Sequence, residues 1–493
     1  MQIGSLIQRA GLYFGDAPCL TEGERTVSFA EFDELTNRLA NALLAQGLSA
    51  GDRIGVLLPN SIDCLVAYYA VAKAGLVRVG LNTRETLEEH SYKLAESGCR
   101  AVIHDGGTNF ECERQIDRNS LAALIGNGNP APCRVDRPLD AAYRLGFTGG
   151  TTGRPKGVML TTRGELCELT AFLTDLMPDL RYGDQFLHAA PIAHASGAFF
   201  LPAITRGVHS IIMPKFDPAR FVELAVACQA NLTFLVPTML AMILEVPGIE
   251  AAPLNFRRIA YGASPIAPGL LARAENRFGR VFAQTYGQAE SPMVITCLQP
   301  EDHDRTGSCG RPFTMAEVAV FDDQDRPLPP GEIGEIVTRG PQIMAGYWNR
   351  PEATAEAMRG GWLHTGDIGT MDEDGYFYLL DRKNDMLITG GFNVYPREVE
   401  DVLMACDGVV EAAVVGLPDE KWGDRIHAVV AGSPGLDAEH IMDHARANLS
   451  SYKRPKEIEI WPELPKSAAN KILRRKVREQ IVARQAETGE LKK

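Results

Sequence analysis

The chain has 493 residues, 45% hydrophobic and 23% charged, the make-up of a water-soluble globular protein with room for about three domain-sized units. Its 50 Lys and Arg against 63 Asp and Glu leave a formal charge of −13, which excludes sequence-independent binding to nucleic acid or to an anionic membrane surface. The ten cysteines are scattered with no C-x-x-C pair, and the opening MQIGSLIQRAGLYFGD has Arg9 inside its apolar stretch and no A-x-A cleavage site, so a reduced, cytoplasmic chain is expected.

In chain order, Ser28 with Glu31 reads as a capping box ahead of Phe29, Phe32, Leu35, Leu39 and Leu43, a helix that Gly47 stops. The apolar run 54–58 predicts a buried strand, 62–74 a helix ended by Gly75, 77–79 a strand, 85–96 a charged helix and 101–104 another strand. Strand alternating with helix implies an α/β fold, a mostly parallel sheet with helices on both faces. Residues 185–205 contain no Asp, Glu, Lys or Arg, but His188, Pro191, His194, Gly197 and Pro202 make a core or pocket wall the better reading than a membrane span. The alternation resumes after Tyr143 and continues to about residue 300, through the apolar stretch 232–244. Short runs broken by Gly and Pro between 316 and 378 predict a small β-rich subdomain. From Glu398 onward the texture is α+β, with strands near 409–415 and 426–431 and helices near 437–448 and 472–485.

The densest signal follows a predicted strand at 143–147: Thr148, Gly149, Gly150, Thr151, Thr152, Gly153, Arg154, Pro155, Lys156 and Gly157. Glycines let the backbone N–H groups approach a ligand, while threonine hydroxyls and a lysine add donors for an anion. It is not a Walker loop, because Pro155 precedes Lys156 and Gly157 follows it. Four further motifs follow: Tyr286-Gly287-Gln288-Ala289-Glu290; Gly361-Trp362-Leu363-His364-Thr365-Gly366-Asp367; Leu380-Asp381-Arg382-Lys383-Asn384-Asp385 running on to Gly390-Gly391; and Pro465-Lys466-Ser467-Ala468-Ala469-Asn470-Lys471. Taken singly, each has a plain structural reading: YGQAE a turn plus a helix start, the Gly-Asp pair a turn, DRKND a surface charge run, and 471–478 a solvated basic helix face. Three look-alikes fail. Gly126–Ala131 scans as G-x-G-x-x-A but Pro130 and Pro132 spoil the helix it needs, Ile441 stands where H-E-x-x-H needs Glu between His440 and His444, and no G-x-S-x-G occurs.

Together and in this order, the five motifs resemble the adenylate-forming superfamily of acyl-CoA synthetases, peptide-synthetase adenylation domains and luciferases, over nearly the whole chain. Relative to the family pattern, Gly149 replaces a serine, Ala289 a threonine, Asn384 an Asp or Lys, and Asn470 a glycine. The resemblance implies a large N-terminal domain of layered α/β subdomains plus the small β-rich subdomain, residues 1–383, and a small mobile α+β C-terminal lid, residues 384–493. It implies ATP, Mg²⁺ and coenzyme A as ligands, with Thr148, Gly149, Gly150, Thr151, Thr152, Gly153 and Lys156 on phosphate. Ala263, Ser264, Gln284, Tyr286 and Gly287 would lie along the adenine, and Asp367 and Arg382 on ribose. Glu290 and Thr152 would hold the metal, with Asn384 as hinge and Gly390 and Gly391 lining the thiol tunnel. Lys471, Glu290 and His194 would be catalytic, His194 as a gate between the acyl and thiol sites. His194, Ser196, Phe199, Phe200, Tyr261, Tyr286, Met293 and Val294 are the candidate acyl wall; they lack a cation, which points to an aromatic or medium-chain monocarboxylic acid.

The activity implied is carboxylate–CoA ligation through an acyl-AMP. Loading of a carrier protein and a degenerate binding homologue are the alternatives. Amino-acid adenylation is disfavoured, because the aspartate expected for an α-amine is missing from 185–205. The partners expected are a small carboxylic acid and CoA, with no nucleic acid and no membrane span; a homodimer stays open.

Overall fold

The computed structural model describes residues 1–148, 154–383, 385–419, 422–466 and 472–488. Gly149 to Gly153, Asn384 and Lys471, all named above, lie outside the described residues. Among those described, the strands form sheets of thirteen, seven and five strands.

In the seven-stranded sheet, Val77–Gly80, Arg53–Leu57, Cys99–His104 and Arg114–Ile116 run parallel as expected. Ala142–Phe147 joins beyond Val77–Gly80, and Gly157–Thr161 and then Gly346–Tyr347 finish that edge antiparallel. A strand covered by helices on both faces has no polar side, and Ile54, Gly55 and Val56 are accordingly all buried. Helix Phe29–Ala45 buries Phe29, Phe32, Leu39 and Leu43, and each such side chain contributes about 1.5–3 kcal/mol by leaving water. Only half of its expected capping box forms, Ser28 accepting the Glu31 N–H at 3.1 Å. The complete box is at Thr86 and Glu89, which start the helix Leu87–Ser97.

The thirteen-stranded sheet has a parallel half, with Leu232–Leu235 between Gln185–His188 and Arg258–Gly262, and Phe282–Gln288 next. It continues antiparallel through Ser291–Leu298 and Ser308–Pro312 into Phe377–Arg382, Leu363–Met371, Gly334–Arg339 and Glu317–Phe321. The β-rich stretch 316–378 is thus a wing of this sheet. The expected helix start at Tyr286 is instead strand Phe282–Gln288, because Gln284, Thr285 and Tyr286 pair with Leu298, Cys297 and Thr296. No helix among the described residues is long and apolar enough to cross a membrane. All ten cysteines are free.

In the parallel half, His188 is fully buried with its ring stacked between Phe186 (4.1 Å) and Phe200 (3.8 Å), and Nε2 lies 3.1 Å from Ser210 Oγ. Burial holds its pKa well below the usual imidazole value. The unfolded chain therefore binds a proton that the folded chain refuses. Stability is complete above an unfolded pKa of about 6.5 and falls by about 1.4 kcal/mol for each pH unit below it, until the folded pKa is reached. Melting temperature between pH 7.5 and 5.5 should fall less in His188→Phe than in the parent; equal slopes would refute this role.

The third sheet pairs Val409–Asp419 with Gly423–Gly432, adds Glu457–Ile460 parallel on the far edge, and carries the hairpin Leu387–Thr389 and Phe392–Val394. Val399, Leu403, Ile441 and Ala445 pack on one face of it, and Trp461, Val477 and Ile481 on the other. The chain thus forms a large N-terminal domain and a smaller C-terminal one with cores of its own.

Candidate active site

The Gly- and Thr-rich motif 148–157 lies between two antiparallel strands, with Phe147 opposite Gly157. Its base is closed by two bonds, Thr148 N–H to Lys156 O and Lys156 N–H to Thr148 Oγ1, each 3.1 Å. Lys156 Nζ lies 4.4 Å from the centre of the Tyr347 ring, and the Tyr347 hydroxyl donates to Glu290 Oε1 at 2.7 Å. Tyr347 is positioned because Gly346–Tyr347 pairs with Met159 and Val158, directly behind the loop. Burial, and then Glu290, push the Tyr347 phenol up, so it stays a neutral donor. Glu290 is itself buried, and Met344 N–H binds its carbonyl at 2.8 Å.

Asp367 joins Tyr286, from a different strand, to Arg382, and against burial the charge of Glu290, with that of Asp367, also raises the pKa of Arg382. The Tyr286 hydroxyl donates to Asp367 Oδ2 at 2.5 Å, and Arg382 Nε pairs with Asp367 Oδ1 at 2.7 Å. Asp367 and Arg382 stand opposite each other on Leu363–Met371 and Phe377–Arg382, so strand register alone makes the pair. Burial, and then Asp367, raise the Tyr286 phenol far above its usual value.

Beside them, Gly262 and Gly287 are positions of close approach. A Cβ on Gly262 would collide with the Thr285 carbonyl, and one on Gly287 with the Met293 backbone. Ala263 and Met293 hold φ of +69° and +55°, values uncommon outside glycine and concentrated at ligand sites. Ala263 is exposed and Ser264 half-buried, at the carboxyl end of a parallel strand, where α/β sheets bind ligands. Gln284 is half-buried one strand over, its Oε1 accepting from the Tyr261 hydroxyl at 3.0 Å.

The candidate acyl wall divides. His194 is exposed, with Nε2 2.6 Å from Asn82 Nδ2. Asn82 Oδ1 already accepts the Arg84 N–H at 3.1 Å, so the Asn82 amide donates and His194 Nε2 accepts. Asn60 fastens the same segment, donating to Ala190 O at 3.0 Å and accepting from Ile192 N–H at 2.8 Å. Met293 is half-buried. Ser196, Phe199, Phe200, Tyr261 and Val294 are each 0–1% exposed. Phe199 packs among Phe172, Phe186 and Phe234, Phe200 on His188, and the Tyr261 hydroxyl is engaged by Gln284 and lies 3.0 Å from His303 Nε2. Apolar pattern cannot separate a pocket wall from a core.

Gly390 and Gly391 form the two-residue turn of the hairpin between Thr389 and Phe392, with φ of +57° and +83°. The turn demands glycine on conformational grounds. Tyr347, Asn82 and Asn60 were not singled out from sequence. Each lies far along the chain from the group it holds, and no local pattern marks them.

The chain belongs to the adenylate-forming superfamily. Residues 7–348 match the AMP-binding enzyme family and residues 398–471 the AMP-binding enzyme C-terminal domain. The chain is 37% identical to a feruloyl-CoA synthase of Amycolatopsis sp over 97% of its own length and 98% of the relative's. It is 35% identical to the medium/long-chain-fatty-acid–CoA ligase FadD8 of Mycobacterium tuberculosis, over 94% of this chain and 87% of that one. Among solved structures, o-succinylbenzoate coenzyme A synthetase from Bacillus subtilis in complex with ATP and magnesium ion superposes with a TM-score of 0.87 at 29% identity, over 96% of this chain and 99% of that one.

Proposed function

We propose that the protein is an ATP-dependent carboxylate–CoA ligase that converts an aromatic or medium-chain monocarboxylic acid to its acyl-AMP, releasing pyrophosphate, and then to its acyl-CoA, releasing AMP. The observation that carries this reading is the Lys156–Tyr347–Glu290 chain beside the Asp367–Arg382 pair, a phosphate side and a ribose side, with Glu290 near enough for its charge to raise the pKa of Arg382. Its relatives act on feruloyl and fatty acyl groups, which supports the acid class.

A free carboxylate is a poor acyl donor because oxide would have to leave. In the first half-reaction the carboxylate oxygen attacks the α-phosphorus of ATP, the bond to the pyrophosphate oxygen breaks, and the acid becomes a mixed anhydride. Two anions must meet, so donors have to be in place beforehand. Lys156, the 148–153 loop and Lys471 supply them. Asp367 accepts from the ribose hydroxyls while Arg382 and Tyr286 hold its carboxylate in place, and Ala263, Ser264, Gln284 and Gly287 border the base.

The donor set fits Mg²⁺: among the described residues the Glu290 carboxylate receives one side-chain hydrogen bond, from a neutral hydroxyl, so it can turn toward a cation. Glu290 with Thr152 would hold that ion, which when bound neutralises charge on the phosphates. In the second half-reaction the CoA thiol displaces AMP. The C-terminal unit, beginning at 384, turns about Asn384, withdraws Lys471 and brings Gly390 and Gly391 to the thiol path, with His194 at the gate.

The test is a panel of carboxylic acids scored for pyrophosphate release, with CoA present and absent. Acid-dependent pyrophosphate with AMP and thioester formed only when CoA is added is expected. Pyrophosphate release indifferent to CoA would point to a carrier-protein acceptor, and no release from any acid would refute the proposal.

A further inference from the structure

Arg474 begins the helix Arg474–Thr488, where sequence pattern predicts a solvated basic face. The structure places it among three acids instead. Its Nε and Nη2 reach Glu400 Oε1 and Oε2 at 2.7 and 2.6 Å, and its Nη1 reaches Asp381 Oδ1 at 2.7 Å and Asp385 Oδ2 at 3.0 Å. The side chain is 20% exposed, and that of Asp381 is 3% exposed. Asp381 also accepts the backbone N–H of Arg382 at Oδ1 and of Arg397 at Oδ2, both at 2.7 Å. Arg397 lies in the first turn of helix Pro396–Met404, so Asp381 caps that helix from a neighbouring strand. Glu400 is anchored in turn by the Val414 N–H at 2.8 Å.

These contacts have an order along the chain. Asp381 is the penultimate residue of strand Phe377–Arg382, one residue before the arginine that pairs with Asp367. Asp385, Glu400, Arg397 and Arg474 all lie beyond 384. Arg474 in turn follows a closed base: Lys466 and Ile472 form a β-bridge, and the Leu473 N–H binds Pro465 O at 2.8 Å. Lys466 and Ile472, on either side of 467–471, are thereby held together. One carboxylate therefore joins the base of the lysine segment to the strand bearing Arg382.

We propose that Arg474 is a positioning residue for acyl-adenylate formation, registering the Lys471 segment against the Asp367–Arg382 site through the carboxylate of Asp381. The inference rests on the reading of Lys471 as the adenylation lysine and of 384 as the pivot. Arg474, Asp385 and Glu400 travel together in a turn at 384, and the bonds from Asp381 to Arg474 and to the Arg397 N–H cross it, beside Arg397 Nη1 on Leu379 O at 3.2 Å and Asp385 N–H on Arg382 O at 3.0 Å. The guanidinium fork spans three acids at once, a geometry that a lysine cannot reproduce.

The experiment measures the two half-reactions separately on the full chain, acyl-AMP formation by pyrophosphate exchange and thioester formation from supplied acyl-AMP and CoA. Asp381→Asn keeps the shape and an acceptor for Arg397 but removes the charge facing Arg474; Arg474→Gln and Arg474→Lys complete the set. Acyl-AMP formation should fall about 10- to 100-fold in Asp381→Asn and Arg474→Gln, less in Arg474→Lys, with thioester formation changed by less than about threefold. Equal losses in both half-reactions, a loss confined to thioester formation, or no loss in Asp381→Asn would each overturn the proposal. Lys471→Ala is the control. If it keeps acyl-AMP formation, the reading of Lys471 is at fault; if it loses it while Asp381→Asn does not, the positioning role alone fails.

Discussion

Lys471→Ala should lose acyl-AMP formation by about 10²–10³-fold while forming thioester from supplied acyl-AMP and CoA at close to the parent rate. The asymmetry comes from where the lysine stands when charge develops. In the first half-reaction a carboxylate oxygen approaches the α-phosphorus of a polyanion, and negative charge gathers on the bridging and non-bridging oxygens. An ammonium already aimed at those oxygens needs no reorganisation when the barrier is crossed. In the second half-reaction charge develops on the carbonyl oxygen and the departing AMP, but on the proposed turn about Asn384 the lysine has already been withdrawn from them. Pyrophosphate exchange and thioester formation assayed on the same preparation separate the two. A comparable fall in both would assign Lys471 to folding or general binding.

Glu290→Gln should lower acyl-AMP formation by about 10²–10³-fold and raise the Mg²⁺ concentration needed for half-maximal pyrophosphate exchange. The substitution is a narrow one. Glutamine keeps an oxygen for the Tyr347 hydroxyl, which sits 2.7 Å from Glu290 Oε1, so the buried hydrogen bond persists and the melting temperature should change little. What is lost is one negative charge in a position that burial shields from solvent screening. Leaving a buried charge partly satisfied costs stability, and a divalent cation is the species that relieves it. An unchanged Mg²⁺ requirement in a variant with full activity would remove Glu290 from the metal site.

The parts of this fold that are legible in sequence are those fixed by local pattern. The helix over Phe29–Ala45, the parallel strands at Arg53–Leu57 and Val77–Gly80 and the C-terminal pair Val409–Asp419 and Gly423–Gly432 all follow from apolar spacing and glycine stops. Asp367 and Arg382 are legible because each sits in a dense motif, and strand register then brings them together. Tyr347 is not legible: its meaning arises from pairing with Val158, which lies 189 positions earlier by subtraction of residue numbers. Arg474 misleads for the opposite reason, since a run of basic residues looks like a solvated helix face until Asp381 and Glu400 fold against one of them. Phe199 and Phe200 show the limit of composition. An aromatic in an uncharged stretch satisfies a core as well as a ligand, and here the core claims both.

The proposed placing of Asp367 on ribose has a consequence for selectivity. Asp367 enters the reaction cycle with one oxygen held by the Tyr286 hydroxyl and the other by Arg382. Discrimination against a ligand that lacks a hydroxyl is strongest where the missing group strands a buried partner. Here the carboxylate keeps two partners whichever nucleotide arrives, so a deoxyribose leaves nothing orphaned. On the proposed assignment, sugar choice at this site should be lenient, and dATP should support acyl-AMP formation nearly as well as ATP in a pyrophosphate-exchange assay.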